Sequence, residues 1–353
     1  MINIIIIFIL SYLFVLVEKF LVRDIADVRH ILWNIREFKN NKIYAPFKYR
    51  VLPLWIFYFL GLHKSKWEAI TIGGTRYQYN TYFVNDEGIE KYYFIKCIII
   101  FFISLSFYWY INLLHLNGIL GIFLLFFFLV LNIIFENPDL YMEIGFYSLI
   151  MVGCILNFSW IYFLIVSCLS SLNRESSIFM IPIVYFYSNV YNFIFTIIGF
   201  LIGFIVPRYL YRNPVDNYDN NYYNGFYFLT FNPIGNWTKS IWPHLKKSFK
   251  GLEAPFYWTY KNKTTILYIN NNPFLLRSKD IIFNRIFLGL GTLILFIIIL
   301  IMGYINCSEY FNNLILIFSI FIIMISIPGD IREIRIYYPS LIVIIPLILL
   351  LWR

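Results

Sequence analysis

Apolar runs alternate with short polar connections along most of this chain. One run covers 2 to 17, interrupted only by Asn3, Ser11 and Tyr12, and others cover about 93 to 113, 118 to 135, 282 to 303, 313 to 328 and Tyr338 to Trp352. These runs approach the ~20 residues that carry a helix across ~30 Å of hydrocarbon. Barrel strands would alternate in polarity over ~10 residues, and Ile98-Ile99-Ile100-Phe101-Phe102 does not. The pattern predicts an all-α fold, a polytopic membrane helical bundle with about nine to eleven spans and no detectable repeat.

Several segments are ambiguous by length. The apolar stretch 51 to 62 fits a tilted helix or a re-entrant hairpin, and a polar loop with turn signals at Gly73-Gly74 and Asn85-Asp86-Glu87-Gly88 follows from Lys64 to Lys91. The run from Ile144 to Leu172 is too long for one upright helix, so it holds a strongly tilted span or two short ones. Pro182 predicts two short or broken helices between Ile178 and Val206. A large polar and aromatic insert, 208 to 281, separates spans. Inside it Ile241, Leu245, Phe249 and Leu252 oppose Lys246, Lys247 and Lys250, the pattern of an interfacial helix. The whole of 1–353 reads as a single integral-membrane domain.

The stretch 18 to 50, after the first span, is amphipathic. At helical spacing Leu21, Ile25, Val28, Leu32 and Ile35 share one face, and Arg23, Asp27, His30 and Asn34 another. It reads as an interfacial loop that turns through Pro46-Phe47-Lys48-Tyr49-Arg50 into the next apolar segment, which sets Arg50 at a membrane boundary.

Composition narrows the function classes. The chain has 353 residues, is 60% hydrophobic and only 13% charged, far from the ~25% charge of soluble domains. A net charge of +9 would suggest nucleic acid in a soluble protein. Here the basic residues sit at segment ends, where they meet lipid headgroups or set topology, and no nucleic-acid module is present. Cys97, Cys154, Cys168 and Cys307 lie in or beside apolar runs with no metal-like spacing, and His30, His63, His115 and His244 are dispersed. The first run lacks a basic leader and a small-residue cleavage site, so it reads as a retained helix.

Charged residues cluster at predicted boundaries: Asp24, Asp27, Arg50, Arg174, Glu175, Arg332, Glu333 and Arg335. They share one side if 51 to 62 and 144 to 172 each cross once and 178 to 206 crosses twice. Lysine and arginine counting makes that side cytoplasmic, but the rule weakens for long loops and orientation stays open. Arginine forks match phosphate oxygens, and partial desolvation strengthens the contact. The plainer alternative is that each arginine anchors a helix end in headgroups. Asp24 and Asp27, one turn apart, form either a solvated face or a pair that could hold a divalent cation. Asp139, in the acidic turn Glu136-Asn137-Pro138-Asp139, suits a helix start or a metal or sugar contact. Ionisable residues inside spans are scarce, which argues against an ion-coupled transporter.

An acid soon after the first span, an amphipathic stretch and then Pro46-Phe47-Lys48-Tyr49-Arg50-Val51-Leu52-Pro53 resembles the integral-membrane glycosyltransferases of the C superfamily, especially their poorly characterised bacterial and archaeal branches. Asn173-Arg174-Glu175-Ser176 and Asp330-Ile331-Arg332-Glu333-Ile334-Arg335-Ile336-Tyr337-Tyr338-Pro339 look like the later Arg-Glu and Glu-x-Arg turns of such proteins. The resemblance implies transfer of a sugar from a polyprenyl-phosphate carrier to an acceptor. It implies Asp27, with Asp24 second, as the base that takes the acceptor proton. Arg50, Arg174, Arg332 and Arg335 would then hold the lipid phosphate, with Glu175, Glu333 and Asp139 in support. The superfamily's Asp-x-Asp or Glu-Asp pairing is replaced here by Asp24-x-x-Asp27. Two other expectations stand beside this one: a non-catalytic lipid or polysaccharide transporter or flippase component, and a structural membrane subunit.

Overall fold

The computed structural model of the protein describes residues 2–22, 51–64, 67–74, 77–84, 86–130, 138–210, 265–269, 272–276, 278–306, 309–326 and 334–352. These residues are helical apart from two antiparallel hairpins and the short turns between helices. The helices are α1 (Ile2–Val22), α2 (Val51–Phe59), α3 (Asp86–Leu113), α4 (Gly118–Val130), α5 (Pro138–Ile155), α6 (Trp160–Asn173), α7 (Met180–Tyr187), α8 (Val190–Leu210), α9 (Ser278–Asn306), α10 (Glu309–Ser326) and α11 (Leu341–Leu351). Turns of 3-10 helix lie at Leu62–Lys64, Glu175–Phe179 and Ile334–Ser340. Windows at Ile2–Lys19, Glu90–Leu113 and Val190–Leu210 are long and apolar enough to cross a membrane, and shorter apolar helices of 10–17 residues accompany them.

Local chemistry explains where the apolar runs break. The run 144 to 172 is two helices, because Asn157 ends α5 in the left-handed conformation at φ 52°. Phe158 N–H then donates to Gly153 O at 3.0 Å and Asn157 N–H to Cys154 O at 3.4 Å, a double cap for carbonyls that the helix leaves open. His115, at φ 57°, ends α3 in the same way through Leu116 N–H to Ile111 O at 3.2 Å. Pro182 falls in the first turn of α7, where no intrahelical N–H is required, so it starts that helix instead of breaking one.

The supposed loop 64 to 91 contains a hairpin, β1 (Trp67–Gly74) and β2 (Tyr77–Val84), whose β-branched and aromatic residues suit strands. The insert starts later than expected, since α8 continues to Leu210, and its last part forms a second hairpin, β3 (Thr265–Ile269) with β4 (Asn272–Leu276).

Contacts between helices define one end of the bundle. Asn3 Nδ2 donates to Tyr108 OH at 2.7 Å, and at the opposite end of the pair Lys19 meets Glu90 at 2.5 Å, so α1 and α3 are antiparallel. Helix α5 runs parallel to α3, with Lys96 Nζ 4.8 Å from the Tyr141 ring and Ile103 against Gly145. Helix α6 returns antiparallel, its Tyr162 OH donating to Leu149 O at 2.8 Å. Helix α8 lies parallel to α6: Trp160 stacks on Phe195 at 4.1 Å, and Gly199 and Gly203 rest on the backbone of Leu164 and Cys168. The end of α1, the starts of α3 and α5, and the ends of α6 and α8 therefore lie together. The start of α3 shares a side with the end of α1, so the condition stated above for one shared charged side, that 51 to 62 crosses once, is not met. Helix α2 instead packs against α5 and α6 and stacks Phe57 on Tyr92 at 5.1 Å.

Candidate functional site

The charged end of the bundle carries a buried polar cluster built on α5. Glu143, almost completely buried, accepts a hydrogen bond from Ser176 Oγ and lies 3.4 Å from Arg174 Nη1. One turn further on, Tyr147 OH donates to Ser176 O at 2.7 Å. Glu143 and Tyr147, four residues apart, share one face of α5. Arg174 reaches them because α6 stops there: its N–H donates to Ser170 O at 2.8 Å, and the chain turns into the 3-10 segment with Ser177 Oγ donating to Arg174 O at 2.7 Å. Glu175, the next residue, meets Arg208 Nη2 at 3.1 Å, and the Arg208 guanidinium stacks over Phe204 at 3.5 Å.

A second buried pair stands at the same end. Lys96 and Glu18 are hydrogen-bonded, with side-chain exposures of 0% and 1%. The ammonium also lies over the Tyr141 ring at 4.8 Å and the Tyr92 ring at 6.0 Å. Tyr141 in turn stacks on Tyr338 at 6.5 Å. Through that contact the 3-10 segment Ile334–Ser340 packs against α5.

Of the residues expected at the site, Arg174 and Glu175 are brought to this corner with their side chains in place. Arg174 is 8% exposed and ion-paired, so it is not a lipid-facing anchor. Asp139 lies in the first turn of α5, four residues before Glu143. Arg335 lies on the segment Ile334–Ser340, three residues and one 3-10 turn before Tyr338. Asp24, Asp27, Arg50, Arg332 and Glu333 lie outside the described residues. Asp24 follows the last residue of α1 by two positions, and Arg50 directly precedes α2. Among the described residues no three His, Cys, Asp or Glu side chains converge as metal ligands.

Glu143, Lys96 and Glu18 are not among the candidate site residues that the sequence pattern selects. The signal was present: Lys96 interrupts Phe94-Ile95-Lys96-Cys97-Ile98, and a lone charge in an apolar run demands a partner. Chemically, the corner offers an arginine fork held by a carboxylate in low dielectric, where contacts with an entering anion are strong. No protein-family model matches the chain, and no curated protein and no solved structure is significantly similar to it.

Proposed function

We propose that this chain is a multi-pass membrane glycosyltransferase that moves a sugar from a polyprenyl-phosphate carrier to an acceptor. In this reading the three long helices and the shorter apolar ones make up the nine to eleven spans. One observation carries the reading: elements distant in sequence that bear Asp139, Arg174, Glu175 and Arg335 meet around the first two turns of α5. Helix α1 hands the chain on towards Asp24 and Asp27 from that same end. Arg174, with Arg50, Arg332 and Arg335, holds the carrier phosphate as it leaves. Asp27, with Asp24 as the second choice, takes the acceptor proton, and Glu143 keeps the Arg174 fork oriented between turnovers.

The test is transfer of labelled sugar from a polyprenyl-phosphate donor in membranes that contain the protein. Asp27→Asn is expected to abolish transfer while expression is unchanged. Full activity in that variant removes Asp27 from the mechanism.

A second reading, a lipid or polysaccharide transporter or flippase component, is favoured by the buried Glu18–Lys96 pair. Such a pair between helices suits a device that opens and recloses. This protein would move the carrier across a bilayer with no new glycosidic bond and would tolerate Asp27→Asn.

A further inference from the structure

Round α5 from the face that meets Arg174 lies an apolar crevice of about 780 Å³. Its walls include Ile98, Phe102 and Trp109 of α3, Phe146 and Leu149 of α5, and Ile56 of α2. Ile98, Phe102 and Trp109 are also exposed, so the crevice opens on the outer surface of the bundle. From Ile98 to Asn112 it follows α3 for about 21 Å at ~1.5 Å per residue, more than the depth of one leaflet. On a helix of ~3.6 residues per turn, Phe146 and Leu149 stand roughly 110° round from Glu143 and Tyr147, so α5 separates this crevice from the arginine corner.

The two ends of the crevice differ in charge. At the far end the polar groups are Ser106, Tyr108 and Asn112, all neutral. Beyond the near end, outside the residues that line the crevice, stand two exposed lysines, Lys64 and Lys91. Lys91 lies two turns before Ile98 on the same stripe of α3, with exposed Phe94 between them. Its Nζ rests over Gly61, where an added methyl group would come within 3.2 Å; Gly61 itself holds φ 81°, a conformation that favours glycine. Lys64 follows one turn later, its N–H donating to Gly61 O at 3.2 Å. Among the described residues no carboxylate forms an ion pair with either lysine.

We propose that this crevice seats an acyl chain of an anionic phospholipid, whose phosphate is held by Lys64 and Lys91. The apolar walls take the chain along the length of a leaflet, and the lysines select the headgroup by charge from the side of α3 that faces the bilayer. The site is separate from the proposed carrier-phosphate corner and stands or falls independently of the transferase reading.

The experiment uses the full chain in nanodiscs of equal parts dioleoyl phosphatidylglycerol and dioleoyl phosphatidylcholine, followed by native mass spectrometry of the lipids that stay bound. Phosphatidylglycerol is expected to be retained over phosphatidylcholine by about thirtyfold, since each of the two lysines near a phosphate contributes about 1 kcal/mol. Lys64→Gln with Lys91→Gln is expected to bring the ratio to within about twofold of parity; both side chains are exposed, so the fold is kept. Ile98→Trp, which fills the crevice, is expected to release the retained lipid whatever its headgroup. Equal retention of the two lipids, or an unchanged ratio in the double lysine variant, overturns the proposal. So does preferential retention of a polyprenyl phosphate added in equal amount, which would assign the crevice to a carrier lipid.

Discussion

The hydroxyl of Tyr110 donates to the carbonyl oxygen of Ile342 at 3.1 Å, across 232 positions of sequence. That carbonyl is the one that Pro346, four residues on in α11, cannot serve, because proline has no N–H. Tyr110 is completely buried, so its phenol and the orphaned carbonyl solve each other's problem in a place without water. Tyr110→Phe is expected to lower stability by about 1 kcal/mol in detergent unfolding. Pro346→Ala supplies the missing N–H, and in that background the same Tyr110→Phe change should cost less. An equal cost in both backgrounds would mean that the two residues act independently.

The buried Glu18–Lys96 pair makes a prediction of a different sign pattern. Lys96→Met alone leaves a carboxylate without its counter-charge and is expected to cost about 3–5 kcal/mol. Adding Glu18→Leu should recover most of that loss, because an apolar pair of similar volume needs no compensation. Unfolding of the two single variants and the double variant measures the coupling. A stable double variant that has lost transfer or transport would mark the pair as functional.

Helices α6 and α8 approach so closely that a methyl group on Gly199 would lie 2.1 Å from Ser167 Oγ and 2.3 Å from Leu164 O. The hydroxyl can turn away, but the backbone carbonyl cannot. Gly199→Ala is therefore expected to cost about 2 kcal/mol or more. Gly291→Ala is the control: nothing lies within 4 Å of the added atom, and the helix gains up to about 1 kcal/mol. Thermal unfolding of the two variants should shift in opposite directions.

Arg174→Lys keeps the positive charge beside Glu143 but loses the planar fork. On the transferase reading it should raise the KM for the carrier at least tenfold while unfolding changes little. A variant with unaltered KM would limit Arg174 to holding α6 against α5.

Much of the helical framework was legible in the apolar runs. The expected span at 93 to 113 lies within α3, and the one at 118 to 135 overlaps α4. The division of 144 to 172 was half legible, because Asn157 followed by Phe158-Ser159-Trp160 contains both a stop and a start. Its choice over a single tilted helix depended on the left-handed turn at Asn157. The hairpin at 67 to 84 is not legible as strands, because Gly73-Gly74 ends its first strand and Asn85-Asp86-Glu87-Gly88 follows its second, the marks of a polar loop.

The candidate site divides in the same way. Arg174 and Glu175 were visible as charges at the end of an apolar run, but their partners Glu143 and Arg208 were not. In a chain of this kind residues inside the bundle and residues on its surface are both apolar, so periodicity marks a helix without marking its buried face. That face is chosen by contacts that composition does not reveal: Gly199 against Leu164, Lys96 against Glu18, and Tyr110 against Ile342. Hydrophobicity along the chain determines that there are helices and roughly where they end. Which helix meets which, and hence which charges share a corner, follows from close packing and from the need of each buried polar group for a partner.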